Sequence, residues 1–295
     1  MNFEETLKQC AKKTNRYLEE CYCSSDSDLS LIFDAEKYSL LSGGKRIRAY
    51  LVFELCHILG GAEVQAAPFA CAVEMVHAYS LIHDDLPCMD DDDYRRGKLT
   101  NHKVYGEAIA VLAGDALLTK AFETVAANQE VQPQYRAEAT LLLAKLAGDC
   151  GMVGGQVLDI KAEEKKEAAL SDLQKIHRLK TGAMIKASAL LGCLASGKDV
   201  DESFLSDVIK YTENIGVAFQ IIDDVLDVVG DSSLLGKNVG SDADNSKLTY
   251  MSFYTVEEAL KLAKKLTDEA IETISKYKNT ENLVALAEYL LERKK

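Results

Sequence analysis

The chain is short of several features that mark secreted, membrane or linker-built proteins. Its eight cysteines, at 10, 21, 23, 56, 71, 88, 150 and 193, form no CxxC pair and no zinc spacing. They read as reduced packing residues of a cytoplasmic protein. Only three prolines occur, Pro68, Pro87 and Pro133, and no long Gly/Ser linker is present. The N-terminal MNFEETLKQCAKK has no apolar stretch of the kind a signal peptide needs. The run ASALLGCLASG at 187–197 is too short to cross a bilayer, so no integral membrane segment is expected. Positive charge is scarce: 34 Lys and Arg stand against 47 Asp and Glu, a net charge of −13. That balance leaves no field to meet nucleic-acid phosphates. An anionic ligand would need local charge inversion, by clustered Lys and Arg or by metal. Alternating strand patterns are also rare.

What remains is helical and globular. Apolar residues make up 47% of the chain and charged residues 27%, a balance typical of a packed protein. Val208, Tyr211, Ile215, Phe219, Ile222, Leu226 and Val229 recur at spacings of three and four, a stripe along one helix face. Similar patterns predict helices over 4–21, 45–59, 66–86, 104–127, 134–148, 172–196, 203–229, 256–277 and 280–292. The expected architecture is all-α, one domain over 1–295 built from about ten helices.

Two acidic clusters interrupt this apolar background. The first lies in LIHDDLPCMDDDDYRRG at 81–97. On an unbroken helix Asp84 and Asp90 would lie ~240° apart and could not share a metal. Pro87 breaks helix geometry between them; if about two residues loop out there, Asp90 returns to the stripe of Asp84. Carboxylates are hard ligands suited to Mg²⁺, which is held by one or two of them together with substrate phosphates. An EF-hand fails, since the sixth position from Asp91 is Arg96 where glycine is needed. A solvated acidic loop capped by Arg95 and Arg96 is the competing reading. The second cluster is FQIIDDVLD at 219–227, where Gln220, Asp223, Asp224 and Asp227 fall within an arc of ~100°. Like charges at that spacing call for a counter-charge. A surface acidic patch is the alternative. Two such clusters on apolar helices fit one cavity in which carboxylates face each other across metal ions.

With these residues in view the chain resembles the trans-isoprenyl diphosphate synthases. GGKRIR at 43–48, DDLPCMD at 84–90 followed by RRG, KT at 180–181, FQ at 219–220, DDVLD at 223–227 and GKNVG…D…KLTY from 236 to 250 stand in family order. The longer first motif is similar to that of bacterial farnesyl and plant-type geranylgeranyl diphosphate synthases. The resemblance implies a helical bundle around a central cavity and a homodimer. It implies that Asp84 and Asp90 hold two Mg²⁺ ions and Asp223 a third, with Asp85, Asp224 and Asp227 supporting them. Arg95, Lys180, Lys237 and Lys247 would contact the allylic diphosphate (dimethylallyl or geranyl). Lys45, Arg48, His77 and Arg96 would bind isopentenyl diphosphate. Thr181 and Gln220 would offer oxygen dipoles to the allylic cation.

The same resemblance implies that product length would turn on Tyr79, five residues before Asp84, ~7.5 Å along the helix axis and ~140° away in phase. The family's bacterial farnesyl synthases carry an aromatic there with a small neighbour, here Ser80, so a C15 product is expected. A C20 product and a non-catalytic subunit of the same fold are the alternatives. A terpene cyclase or a helical metal-binding scaffold would leave the ordered Lys and Arg unexplained.

Overall fold

The computed structural model describes residues 2–22, 26–163, 168–229 and 248–293. Among these residues the chain is helical apart from one two-stranded hairpin. It divides into two compact units. The first is Met1–Leu141 with Leu191–Gly197, and the second is Leu142–Leu190 with Lys198–Lys295.

The first unit contains α1 (Phe3–Glu20), α2 (Ser30–Leu40), α3 (Ile47–Ile58), α4 (Glu63–Asp84), strands β1 (Tyr94–Arg95) and β2 (Lys98–Leu99), α5 (Asn101–Tyr105) and α6 (Glu107–Ala126). Eight consecutive residues of α3, Ala49–Cys56, and eight of α4, Phe69–Val76, are buried. Burial around the whole circumference marks both as core helices. They pack on each other; α1 covers both, and α6 lies along α4.

α7 (Pro133–Ala147) and α10 (Ala183–Ala195) each run from one unit into the other. The second unit holds α8 (Met152–Glu163), α9 (Leu170–His177), α11 (Glu202–Val229), α12 (Val256–Ile274) and α13 (Glu281–Glu292). The apolar stripe of α11 is buried at Val208, Tyr211, Ile215 and Ile222, half-buried at Phe219 and Leu226, and exposed at Val229. Each fully buried aliphatic or aromatic side chain there contributes roughly 1.5–3 kcal/mol of transfer free energy. α12 begins at a capping box: the Thr255 hydroxyl accepts from the Glu258 amide at 3.3 Å, and the Glu258 carboxylate accepts from the Thr255 amide at 2.9 Å. Reciprocal capping satisfies amides that a helix start otherwise leaves bare.

Several expectations need correction. The pattern missed α2, α8 and the hairpin. The helix expected over 104–127 is divided at Gly106, whose φ is 84°. The helix expected over 172–196 carries a π-helical turn at Arg178–Gly182. Pro133–Ala162 is long and apolar enough to cross a membrane by length and composition, unlike the shorter run singled out above. A turn at 148–151 divides it. The described cysteines are free thiols; Cys23 lies outside the described residues.

Candidate active site

In the first unit α4 ends at Asp84, and the chain folds back at once. The Asp90 amide donates to the Asp84 carbonyl at 2.9 Å, and the Asp91 amide to Leu86 at 3.1 Å. The residues around Pro87 thus loop out, and the two aspartates close one turn, as the break at proline suggested. Asp85 is buried and accepts from Arg95 Nε at 2.5 Å, while Arg95 Nη2 also reaches Asp92 at 3.2 Å. Arg95 and Arg96 sit at the tip of the hairpin, where Tyr94 pairs with Leu99 and Arg95 with Lys98. The two loop residues Arg96 and Gly97 both have positive φ, 54° and 73°, the type I′ geometry that suits strand twist. Its tip carries Arg96 back to the GGKR loop. There the guanidinium donates to the Gly43 carbonyl and reaches Ser42 Oγ at 3.4 Å. A side chain on Gly44 would meet that guanidinium at 3.0 Å.

Four arginines, Arg46, Arg48, Arg95 and Arg96, surround His77 closely enough to act on its titration. Burial first, and then these cations, push the imidazole well below its ordinary range. Two of these arginines face carboxylates, Arg46 with Glu74 and Arg95 with Asp85 and Asp92, so the cations gathered here are partly balanced within the chain. Lys45 is half-buried beside this cluster, and Arg48 Nε is buried with no protein partner. Tyr79 is buried and meets His83 edge-on at 5.7 Å between ring centres. Burial and the Asp84 charge push its hydroxyl up to about 12. Ser80 Oγ donates to the His77 carbonyl at 3.0 Å.

In the second unit Lys180 and Thr181 lie within the π-helical turn. Such turns re-aim side chains and recur at functional sites. Gly155 of α8 packs closely against this turn: a Cβ there would stand 2.2 Å from the Lys180 amide nitrogen. One turn further along α8, Asp159 accepts from Lys180 Nζ at 2.6 Å. Thr181 Oγ1 donates to Gln220 Oε1 of α11 at 3.3 Å, so the two expected dipoles do meet. Burial pushes His177, beside them, down to about 4. Asp224 is buried and accepts from the Tyr250 amide at 2.7 Å. Asp223 is more open and pairs with Arg293, whose Nη2 lies 2.5 Å from Oδ1. The Arg293 guanidinium also lies over the Phe219 ring, 3.8 Å from its centre. Asp227 is half-buried. Lys237 and Lys247 lie outside the described residues.

Sequence reasoning did not find Arg46, Glu74, Asp159 or Arg293. Among the described residues no three carboxylate, imidazole or thiolate groups form a closed metal cage. The candidate donors Asp84, Asp90 and Asp223 are half-buried aspartates, a donor type that fits Mg²⁺ held by one or two carboxylates and completed by substrate phosphates. The guanidinium on Asp223 shows that this carboxylate accepts a cationic partner.

The family model described as polyprenyl synthetase matches residues 30–290. The farnesyl diphosphate synthase of Escherichia coli strain K12 is 43% identical over 301 residues, with 100% of each chain covered. The geranylgeranyl diphosphate synthase of Cyanophora paradoxa is 45% identical over 266 residues, covering 90% of this chain and 88% of that protein. A crystal structure of a geranyltransferase from Helicobacter pylori, complexed with magnesium and isoprenyl diphosphate, superposes with a TM-score of 0.85 at 29% identity, covering 99% and 96%. The chain belongs to the polyprenyl synthetase family and has its all-α fold. These relatives make products of different length, so membership alone leaves C15 and C20 open.

Proposed function

We propose that this protein is a magnesium-dependent prenyltransferase. It joins isopentenyl diphosphate to dimethylallyl and then geranyl diphosphate, giving farnesyl diphosphate. The observation that carries the reading is the Asp84–Asp90 turn beside a pocket lined by Arg46, His77, Arg95 and Arg96. An acidic turn next to a cationic pocket suits a metal-bound diphosphate and a second diphosphate side by side.

In this reading Asp84 and Asp90 would hold two magnesium ions and Asp223 a third, at the carboxylate that pairs with Arg293 here. Bound magnesium supplies Lewis-acid neutralisation of the leaving diphosphate. Arg95, Lys180, Lys237 and Lys247 hold the allylic diphosphate; Asp85 keeps Arg95 in place, and Asp159 keeps Lys180. As the allylic C–O bond breaks, the oxygens of Thr181 and Gln220 face the growing positive charge and cost no reorganisation. Lys45, Arg48, His77 and Arg96 hold isopentenyl diphosphate so that its alkene attacks the cation. A proton then leaves to the released diphosphate. Asp227 supports the metal side through bound water. The apolar walls exclude water, which would otherwise capture the cation as an alcohol.

Tyr79, with Ser80 beside it, sets the C15 limit as the floor beneath the growing chain. Its burial, its charge coupling to Asp84 and the full-length match to a farnesyl synthase support this choice. Chromatography of products from labelled isopentenyl diphosphate tests it, with and without Mg²⁺. The wild type is expected to stop at C15 and Tyr79→Ala to run on to C20 or longer. C15 from the alanine variant would exonerate Tyr79, and C20 from the wild type would make the protein a geranylgeranyl synthase. We also place the protein in the cytoplasm as a homodimer; a monomer by light scattering would contradict the latter.

A further inference from the structure

Resting on that reading, we infer that Glu74 and Arg46 are positioning residues for isopentenyl diphosphate. They lock the GGKR loop so that Lys45 and Arg48 grip its diphosphate. Glu74 is a carboxylate within the buried stretch of α4 and is 2% exposed. Its Oε2 accepts from Arg46 Nη1 at 3.0 Å, with both side chains 3% exposed. Its Oε1 accepts from the Ala49 amide at 3.1 Å. Ala49 is the third residue of α3, whose amide a capping side chain ordinarily satisfies. The residue at the cap position is Arg46, and a guanidinium cannot accept a hydrogen bond. A carboxylate from another helix therefore does the capping, at the positive end of the α3 dipole.

Arg46 itself is held at φ 53°, ψ 39°, in the left-handed region. A non-glycine residue there costs roughly 1–3 kcal/mol and persists only where its surroundings over-determine it. They do: Arg46 Nε and Nη2 donate to Asn15 Oδ1 of α1 at 3.1 and 2.9 Å, and Nη2 also donates to the Leu40 carbonyl at the end of α2. Gly43 and Gly44 have φ of 98° and 117°. Three of the four residues 43–46 thus have positive φ, and the fourth is Lys45. Arg48 follows two residues after the locked position, and its buried Nε lacks a protein partner.

A well-packed apolar pair would join α1, α2 and α4 at least as firmly as a buried ion pair. It could not cap α3 or hold Arg46 left-handed. The ionic pair therefore serves the loop's conformation.

The test compares wild type with the double variant Arg46→Met/Glu74→Leu, which keeps apolar volume, and with Glu74→Gln. Inorganic diphosphate is titrated by calorimetry with EDTA present, melting temperatures are recorded, and KM is measured for each substrate. The double variant is expected to melt within a few degrees of wild type yet bind inorganic diphosphate about tenfold or more weakly. Its KM for isopentenyl diphosphate rises by a similar factor while that for the allylic substrate stays within about twofold. Glu74→Gln, which keeps an acceptor for Ala49 and loses the charge, falls between; it carries the test if the double variant does not fold. Wild-type affinity for diphosphate in a folded variant overturns the inference, as does a wild type that does not bind diphosphate. A wild type that binds diphosphate and loses it in the variants, but forms no prenyl product, removes the proposed function and leaves Glu74 and Arg46 as positioning residues for the diphosphate of another ligand.

Discussion

Lys180 is half-buried, and its ammonium meets one carboxylate, Asp159, at 2.6 Å. A hydrogen bond between charged groups contributes roughly 1.5–3 kcal/mol, so its loss should show. Asp159→Asn keeps the shape and removes the charge. We expect KM for the allylic substrate to rise about tenfold, with KM for isopentenyl diphosphate nearly unchanged, in steady-state assays. Equal rises in both would assign Asp159 to the scaffold. His177 makes a different prediction. Its folded pKa, about 4, lies below the ordinary imidazole value of 6.5, so protonation favours the unfolded chain. Its contribution is fully present above pH ~6.5, falls as pH drops toward 4, and is on the order of 3 kcal/mol. His177→Gln should flatten the loss of melting temperature between pH 6.5 and 4.5. An unchanged slope would point to other groups. Of these residues Lys180 was legible from its motif. Asp159 and His177 were not, because their roles depend on neighbours distant in sequence.

The π-helical turn at Arg178–Gly182 joins α9 to α10 where helical periodicity alone predicts one unbroken helix. α8 packs closely against that turn, and Gly155 permits the approach. Gly155→Ala places a methyl 2.2 Å from backbone nitrogen, where no flexible side chain can yield. We expect roughly 1–3 kcal/mol of destabilisation in urea melts, as for other overpacked contacts. A weaker grip on the allylic substrate should accompany it as Lys180 shifts. A variant as stable and active as wild type would show that α8 moves aside freely. The Gly154-Gly155 pair hid α8 from sequence reasoning, since glycine is a poor helix former in isolation. Here tertiary contact overrode propensity. The break at Pro87 went the other way: proline's missing donor is a local property, and the loop followed from it.

At the scale of the whole chain the two acidic clusters are predicted to serve one reaction. In the proposed reaction Asp84→Asn and Asp223→Asn should each lower kcat by ~10² or more at saturating Mg²⁺, since each would remove charge stabilisation of the leaving group. Groups that act as one unit are strongly non-additive. The double variant is therefore expected to be no slower than the slower single variant, within a few-fold. Multiplying losses would mean that the clusters act in separate events.

The amino-acid sequence alone determined the helical class, the acidic clusters, the break after Asp84 and the cation-bearing motifs. Each of these depends on residue type and near-neighbour spacing. Tertiary structure alone decided which charges meet: Glu74 with Arg46 and the start of α3, Asp159 with Lys180, Arg293 with Asp223. Those partners stand 21 to 70 residues apart. A buried carboxylate in an apolar helix carries no local mark of the amide or guanidinium it will satisfy. Only the packing of helices brings that partner within hydrogen-bonding distance.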